Sequence, residues 1–331
     1  MPPHKLLLLA LVITLSLAPL QAQQTAKPRQ GEGVTAFLRR YGYKSQAAKD
    51  EFLRLNKSKL TKDGGLMLGV SYRLPVGAAK GGSSSKSNAV TEPLFGPALK
   101  SVTVTSRELS GACLYLVSGH GGPDPGAITK INGHELHEDE YAYDIMLRLA
   151  RALIQKGAKV HIIIQDAADG IRDDTYLNNS KRETCCGQTI PLDQLARLQQ
   201  RCSAINRLTK SDKQAYKRAI FIHIDSRSKN EQIDVFFYHA PGSNGGKRLC
   251  ERLHNTFKQN YSKFQPGRGF KGSVSSRALY VLNNSSPVAA FIELGNIQNA
   301  RNRQRIILSS NRQALAEWIC QGIVNDYNKS K

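Results

Sequence analysis

Short apolar runs alternate with amphipathic segments along the chain from about residue 92 onward. Apolar runs at residues 112–117 and 160–164 indicate buried strands, and apolar residues at helical spacing between them indicate a helix that ends at Gly157. The same pattern predicts four later strands, at residues 219–224, 233–238, 278–282 and 288–293. It also predicts a last helix at residues 313–327. Buried strands separated by helices favour an α/β fold, a doubly wound, mostly parallel sheet flanked by helices, with functional residues at strand ends.

A smaller unit with its own pattern covers residues 31–75. Apolar residues at helical spacing end at Gly42, a second amphipathic run ends at Asn56, and residues 66–74 indicate a closing strand. The pattern therefore predicts a small α+β module ahead of the large region.

Two other segments divide the chain. Within residues 1–22, His4 and Lys5 precede a mostly apolar run, and small and polar residues follow that run. This order is typical of a secretory signal peptide, here cleaved after Ala22. Residues 76–91 are rich in Gly and Ser and predict a flexible linker to a large domain over residues 92–331. No later window has the apolar length of a spanning helix, so we expect no integral membrane segment after cleavage.

The net charge narrows the class of partner. Lys and Arg number 47 against 26 Asp and Glu, a formal charge of +21, which indicates an acidic or polyanionic partner. Nucleic acid, an anionic membrane surface and a carboxylate-rich polymer such as a bacterial wall all fit that charge. The predicted export argues against nucleic acid and places the protein in the periplasm or outside the cell.

Six cysteines follow the signal segment: Cys113, Cys185, Cys186, Cys202, Cys250 and Cys320. Cys113 and Cys320 lie in apolar segments and are interpreted as buried free thiols. The others leave many pairings open, and we expect a loop disulfide from Cys185 or Cys186 to Cys202. None shows the two-residue spacing of a zinc ribbon.

Side chains that can bind a metal stand at strand ends. His120 follows the first strand, His223 and Glu293 end two later strands, and Glu138 opens the first helix of the large region. Two imidazoles and a carboxylate form the ligand set of a catalytic zinc, and a second carboxylate would activate the bound water and protonate the leaving amine. Taken singly, a strand-end His is more often structural, and a Glu that opens a helix commonly serves the helix dipole.

The small unit resembles a LysM repeat, a strand-helix-helix-strand module that binds N-acetylglucosamine-containing glycans. The residues that carry the resemblance are Gly33, residues 37–42, Leu55-Asn56, Leu68-Gly69 and residues 72–75. Leu68 stands where the family usually has Pro, and the stretch between Gly42 and Phe52 is long. The alternative is a small helical spacer without affinity for glycans.

The large region resembles the zinc-dependent N-acetylmuramoyl-L-alanine amidases of the amidase-3 family over residues 112–327. Its blocks occur in the family's order, at residues 118–127, 138–145, 222–225 and 287–299, with residues 201–206 similar to the family's Arg-plus-Asn helix. The resemblance implies that His120, Glu138 and His223 hold zinc and that Glu293 is the catalytic acid and base.

Several positions depart from the family pattern. Gln165-Asp166 replaces the usual Thr-Arg, and Asn296 replaces a common aromatic residue. The segment between Asp225 and the strand near residue 233 has no room for the inhibitory helix that some members carry. An insertion at residues 169–191 is interpreted as a surface loop in preference to a lid.

The resemblance implies an exported, cell-wall-associated bacterial peptidoglycan hydrolase. It would cleave the amide bond between N-acetylmuramic acid and the L-alanine of the stem peptide, and the glycan strand and stem peptide would be its partners. The basic surface would attract the stem-peptide carboxylates. The competing interpretation is a non-catalytic peptidoglycan-binding or amidase-regulating protein that retains the fold, although all four candidate site residues are present. Whether a protein activator is required stays open.

Overall fold

The computed structural model describes residues 24–43, 46–61, 64–75, 89–226 and 232–330. The chain forms two compact units, Met1–Lys86 and Ser87–Lys331. The predicted signal segment and residues 76–88 of the predicted linker lie outside the described residues. Within the described part, none of the helices combines the length and the apolar character needed to span a bilayer.

The small unit has the strand-helix-helix-strand order that its sequence predicts. Its elements are β1 (Thr25–Ala26), α1 (Val34–Arg40), α2 (Gln46–Asn56) and β2 (Tyr72–Arg73), with a short 3-10 helix at Lys57–Lys59. Strands β1 and β2 pair antiparallel. The first strand lies ahead of Gly31, where the sequence pattern places the start of the unit, and the closing strand is shorter than residues 66–74.

A buried asparagine joins the second helix to the closing strand. The Asn56 side chain donates to the carbonyls of Phe52 and Arg73 at 2.9 and 2.8 Å, and its Oδ1 accepts from the Arg73 N–H at 2.8 Å. Phe37, Phe52 and Tyr72 pack beside it as the aromatic core of the unit. A core this small depends on such side-chain hydrogen bonds because it buries little apolar surface.

The large unit alternates strands and helices. Its strands are β3 (Ala89–Thr91), β4 (Ser101–Thr103), β5 (Ala112–Ser118), β6 (Ile128–Ile131), β7 (His134–His137), β8 (Lys159–Ile162), β9 (Ile164–Gln165), β10 (Thr184–Cys185), β11 (Gln188–Thr189), β12 (Tyr216–Asp225), β13 (Val235–His239), β14 (Gly272–Ser276) and β15 (Val288–Asn296). Its helices are α3 (Glu138–Gln155), α4 (Gln194–Ser211), α5 (Asn244–Phe264), α6 (Tyr280–Asn284), α7 (Ala300–Ile307) and α8 (Ser309–Ser330). Strand β3 pairs with β4, so residues 89–91 of the predicted linker belong to the large unit.

A six-stranded sheet forms the centre of the large unit, in the order β14-β13-β15-β12-β5-β8. The pairs β12–β15, β5–β12, β5–β8 and β13–β14 are parallel, and β13 runs antiparallel to β15. The predicted α/β class with a mostly parallel sheet flanked by helices is therefore confirmed. The central strands β15, β12 and β5 run in the same direction, so their carboxyl ends lie side by side. We call this end of the sheet the carboxyl edge.

Alternate side chains of the central strands enter two separate cores. Leu114 and Leu116 of β5 pack with α3, α5 and α8 on one face, whereas Tyr115 and Val117 pack with α4 and α6 on the other. Both faces are apolar, which explains why these strands appear as continuous apolar runs in the sequence.

The predicted strand at residues 278–282 is wrong. Those residues lead into helix α6, which packs Val281 and Leu282 against the face of the sheet that α4 covers. A short apolar run fits a buried helical turn as well as a strand, and periodicity does not separate the two. The edge strand is β14 (Gly272–Ser276) instead, and its Gly-Ser-Val-Ser-Ser sequence lacks an apolar signal.

Candidate active site

Three predicted ligands meet at the carboxyl edge of the sheet. His120 follows β5, Glu138 is the first residue of α3, and His223 lies near the end of β12. One ligand atom from each lies within 4.8 Å of those of the other two. Because β5 and β12 are parallel neighbours, their carboxyl ends bring the two imidazoles to the same place. With Glu293, these residues are called the carboxyl-edge cluster below.

Glu138 is the centre of this group. Its Oε1 lies 3.0 Å from His223 Nδ1 and 3.3 Å from His120 Nε2, and it accepts a 3.0 Å hydrogen bond from the Ile224 N–H. Its Oε2 accepts from the Ala127 N–H at 3.0 Å. Burial alone would raise the pKa of Glu138, but hydrogen bonds and charge from the two imidazoles hold that pKa well below its usual range. The carboxylate is therefore ionised and fixed in orientation.

His120 is held through its backbone and its ring. Its φ of 61° lies in the left-handed region, and its Nδ1 is 2.9 Å from Asp124 Oδ2. That contact directs Nε2 toward Glu138. Burial lowers the pKa of His120, but the hydrogen bonds to Asp124 and Glu138 outweigh it and raise this pKa to about 10.

Two arginines of α4 support the loop that carries His120. Arg197 Nη2 donates to Asp124 Oδ2 at 2.9 Å, and Arg201 donates to the main-chain carbonyl of His120. Arg201 belongs to the Arg-plus-Asn block of the sequence resemblance. Asn206, from the same block, accepts from the Ser286 N–H at 2.7 Å and so holds the segment before β15. No periodic pattern in the sequence marks Asp124 or Arg197, because each is a single polar residue in a loop or on a helix.

At two glycines, the rings of His120 and His223 lie where a side chain would otherwise be. A Cβ atom at Gly119 would lie 2.4 Å from ring atoms of His223. A Cβ atom at Gly126 would lie 2.6 Å from His120 Cδ2 and 2.7 Å from Glu138 Oε2, and the Gly126 φ of +69° disfavours side chains independently. The glycines of the predicted first block are therefore a steric requirement of the cluster.

Glu293 lies in β15 opposite His223 in the strand register. Its side chain is partly buried, and within the described residues no hydrogen-bond partner reaches its buried Oε2. Burial, followed by the charges of Glu138 and Asp225, raises the pKa of Glu293 well above its usual value. A buried polar atom without a partner is costly in a folded protein and points to a ligand or a catalytic role.

The insertion at residues 169–191, predicted as a surface loop, lies largely at the surface, and part of it contacts the loop that carries His120. Its hairpin of β10 and β11 pairs with β9, and Glu183 Oε2 accepts from the Gly122 N–H at 2.8 Å. Ile190 packs so closely on Gly122 that a Cβ there would lie 3.1 Å from Ile190 Cβ. Arg182 of the same segment lies 3.3 Å from Asp166, which stands where the family usually has a basic residue.

The predicted disulfide to Cys202 is wrong. All six cysteines lie in the described part of the chain, and each is a free thiol. The Cys202 Sγ lies 3.8 Å from the hydroxyl oxygen of Ser285, so this thiol contacts the segment before β15. Cys185 and Cys186 lie at the turn between β10 and β11.

Comparison with known proteins identifies the family. A family model described as N-acetylmuramoyl-L-alanine amidase matches residues 114–325, which include all four predicted site residues. The germination-specific N-acetylmuramoyl-L-alanine amidase of Bacillus subtilis (strain 168) is 24% identical over 228 residues, or 68% of this chain and 83% of that protein.

Solved structures of amidases are similar over about two thirds of the chain. The N-acetylmuramoyl-L-alanine amidase AmiC2 of Nostoc punctiforme is 21% identical, with a TM-score of 0.48 over 67% of this chain and 99% of that one. The CwlD amidase of Clostridioides difficile, solved in complex with the GerS lipoprotein, is 16% identical, with a TM-score of 0.48 over 66% of this chain and 99% of that one.

Proposed function

Because the chain belongs to the N-acetylmuramoyl-L-alanine amidase family, we propose that it is an exported, zinc-dependent peptidoglycan hydrolase. It cleaves the amide bond between N-acetylmuramic acid and the L-alanine of the stem peptide. The observation that carries the proposal is the convergence of His120, Glu138 and His223 beside the partly buried Glu293, all within the family match. The basic chain suits a substrate whose stem peptides carry carboxylates.

The donor set fits zinc. Two imidazole nitrogens and one carboxylate oxygen are ligands that zinc prefers, and three protein ligands leave a position for water and substrate. His120, Glu138 and His223 would hold the ion, which when bound polarises the substrate carbonyl and lowers the pKa of water. Asp124 keeps the Nδ1 side of His120 occupied, so that its Nε2 faces the site.

Glu293 moves the proton in the proposed reaction. Its carboxylate accepts a proton from the attacking water and then delivers that proton to the leaving amide nitrogen. Its backbone is fixed by pairing with β12 and β13 on either side, so the carboxylate stays in place through both transfers. Its Oε2 is buried, so bulk water does not compete for the proton at that atom.

The substitution Glu293→Gln tests this role. It keeps the size of the side chain but removes the proton acceptor, so we expect normal zinc content and an amidase rate reduced by about 100- to 10,000-fold. The measurement is the appearance of a free L-alanine amino terminus on stem peptides released from muropeptides. Glu317→Gln, an exposed glutamate of α8, is the matched control and should leave the rate unchanged.

Two outcomes would contradict the proposal in different ways. Equal rates for the wild type and Glu293→Gln would place the base elsewhere. Zinc-loaded wild type without product, with or without cell-envelope extract to supply an activating partner, would favour the non-catalytic peptidoglycan-binding or amidase-regulating alternative.

For the small unit, residues 31–75 as defined by sequence, we propose a LysM-like module that binds glycan. Its strand-helix-helix-strand order and antiparallel strand pair support this proposal. Deleting residues 23–86 should weaken sedimentation with insoluble peptidoglycan and leave hydrolysis of soluble muropeptides intact. Binding that disappears at moderate salt, and is equal on any polyanion, would mean adhesion by charge.

For the location, we propose a periplasmic or extracellular, cell-wall-associated protein. The support is the signal-like sequence of residues 1–22 and the wall substrate of the family. The mature protein recovered from a bacterial host should begin after Ala22. Protein that keeps residues 1–22 and stays in the cytoplasm would contradict export.

A further inference from the structure

A second group of metal-binding side chains lies at the other edge of the same sheet. Cys113 is the second residue of β5, His161 belongs to the neighbouring strand β8, and Asp212 is the C-cap residue of α4. One ligand atom from each lies within 4.8 Å of those of the other two. Together with Tyr115, these residues are called the amino-edge cluster.

Three donors converge on one oxygen of Asp212. Its Oδ2 lies 2.7 Å from the Tyr115 hydroxyl, 2.9 Å from His161 Nε2 and 3.4 Å from Cys113 Sγ. The other oxygen, Oδ1, takes the ammonium group of Lys159. The carboxylate is therefore oriented with Oδ2 toward the thiol and the imidazole.

The position of this carboxylate is unfavourable by itself. The Asp212 side chain is 1% exposed, and it stands at the carboxyl end of a helix, where negative charge opposes the helix dipole. Two lysines offset that cost: Lys159 pairs with the side chain, and Lys217 donates to the carbonyls of Thr209 and Asp212 at 2.9 and 2.6 Å. The buried carboxylate is therefore held by the groups around it and not by its helix.

The donor set matches zinc. A thiolate sulfur, an imidazole nitrogen and a carboxylate oxygen are each common zinc ligands, and their combination excludes magnesium and calcium, which prefer oxygen alone. The ring of His161 is held by stacking on Tyr115, with centroids 5.3 Å apart and planes 8° apart. Cys113 is fully buried and His161 partly exposed, so the group opens to solvent on the His161 side.

We propose that Cys113, His161 and Asp212 Oδ2 form a second zinc site, with water completing the fourth position on the side where His161 is exposed. The thiol of Cys113 loses its proton to solvent as the zinc–sulfur bond forms, and His161 takes the tautomer with its proton on Nδ1 so that Nε2 binds the ion. Lys159 remains on Oδ1 and neutralises that oxygen from outside the coordination shell. The site ties the end of α4 to strands β5 and β8.

Sulfur distinguishes this site from the carboxyl-edge cluster, whose candidate ligands are nitrogen and oxygen only. The full chain is stripped with a chelator and titrated with Co²⁺, which reports a thiolate ligand by sulfur-to-metal charge-transfer absorption. We expect that absorption in the wild type and in His223→Ala, and its loss in Cys113→Ser and His161→Ala. Zinc content should fall from about two ions per chain to about one in each single variant.

The controls make the result specific. Cys250→Ser changes a fully buried thiol that has no metal-binding cluster around it in the described structure and should keep the absorption. Cys186→Ser changes one of the two adjacent thiols, Cys185 and Cys186, at the turn between β10 and β11. This variant should also keep the charge-transfer absorption. Charge transfer that persists in Cys113→Ser, or zinc that stays at about one per chain in the wild type and is lost only with His223, would overturn the proposal. Failure of the amidase assay would not affect it, because this readout does not depend on activity.

Discussion

The carboxyl-edge and amino-edge clusters use similar side chains but satisfy them to different degrees. At the amino edge, both oxygens of Asp212 are occupied by protein donors. At the carboxyl edge, Glu293 Oε2 has no donor within the described residues, and His120 has a left-handed backbone. The two clusters lie at opposite edges of one sheet.

The difference suggests how to separate a reaction site from a structural site. A structural cluster gains stability by pairing every buried polar atom, whereas a reaction site keeps a polar atom free for the substrate. Backbone strain and glycine gaps then occur where the reacting groups must approach each other. These criteria support the proposals of a reaction site at the carboxyl edge and of a stabilising site at the amino edge.

The largest effect should come from His223→Ala. This change removes a proposed ligand and the imidazole that holds Glu138, so we expect loss of one zinc and a greater loss of amidase rate than the roughly 100- to 10,000-fold expected for proton transfer alone. His134→Ala, an exposed histidine on β7, is the control. If the His223→Ala protein kept both its zinc content and its amidase rate, the carboxyl-edge cluster would not be the reaction site, and the contrast drawn between the two clusters would be wrong.

Gly126→Ala tests the steric argument. Its Cβ would collide with His120 and Glu138, and displacement of about 1 Å can reduce a rate by about 100-fold. Gly133→Ala is a close control, because its φ of +81° is similar but nothing lies within 4 Å of the new atom. Assays of rate and zinc content should show a defect only in the first variant, and equal defects would attribute the effect to backbone strain.

Asp124→Ala tests the support of His120. Loss of the hydrogen bond to Nδ1 should weaken zinc binding by about 10- to 100-fold, as for other outer-shell partners. Competition with a chromophoric chelator measures that affinity. Asp174→Ala removes an exposed carboxylate and should not change it. Unchanged affinity in both would mean that His120 needs no such support.

The smallest effect should come from Asp212→Asn, measured with chelator present so that only the hydrogen bonds and the Lys159 ion pair of this side chain are tested. The amide satisfies fewer of the donors around it, and we expect the free energy of unfolding to fall by about 1–3 kcal/mol. Denaturant unfolding gives that value, with Asp174→Asn as the control. A stability equal to the wild type would show that this carboxylate is not held by its neighbours.

Sequence patterns predicted the central strands because those strands are buried on both faces. Strands β5, β12 and β15 appear as apolar runs, and their ends identify His120, His223 and Glu293. The edge strand β14 was missed because it buries little. The hairpin within residues 169–191 was missed because its contact with Gly122 depends on tertiary packing of polar residues such as Glu183.

The amino-edge cluster was not predicted for a related reason. Its ligands come from three segments, with Cys113 and Asp212 separated by 99 positions and His161 and Asp212 by 51. In sequence, Cys113 is one apolar residue within a strand, and a buried thiol is the ordinary interpretation. Only the pairing of β5 with β8 and the end of α4 bring the group together.

Contacts at both edges of the sheet constrain the length of helix α4. Arg197 and Arg201 in its first half reach Asp124 and the His120 carbonyl, while Asp212 caps its far end, about 23 and 17 Å farther along the helix axis respectively. Inserting or deleting one residue between them would turn one end by about 100° relative to the other. The helix could then keep its contacts at one edge only, so this stretch of the chain should tolerate substitutions far better than changes of length.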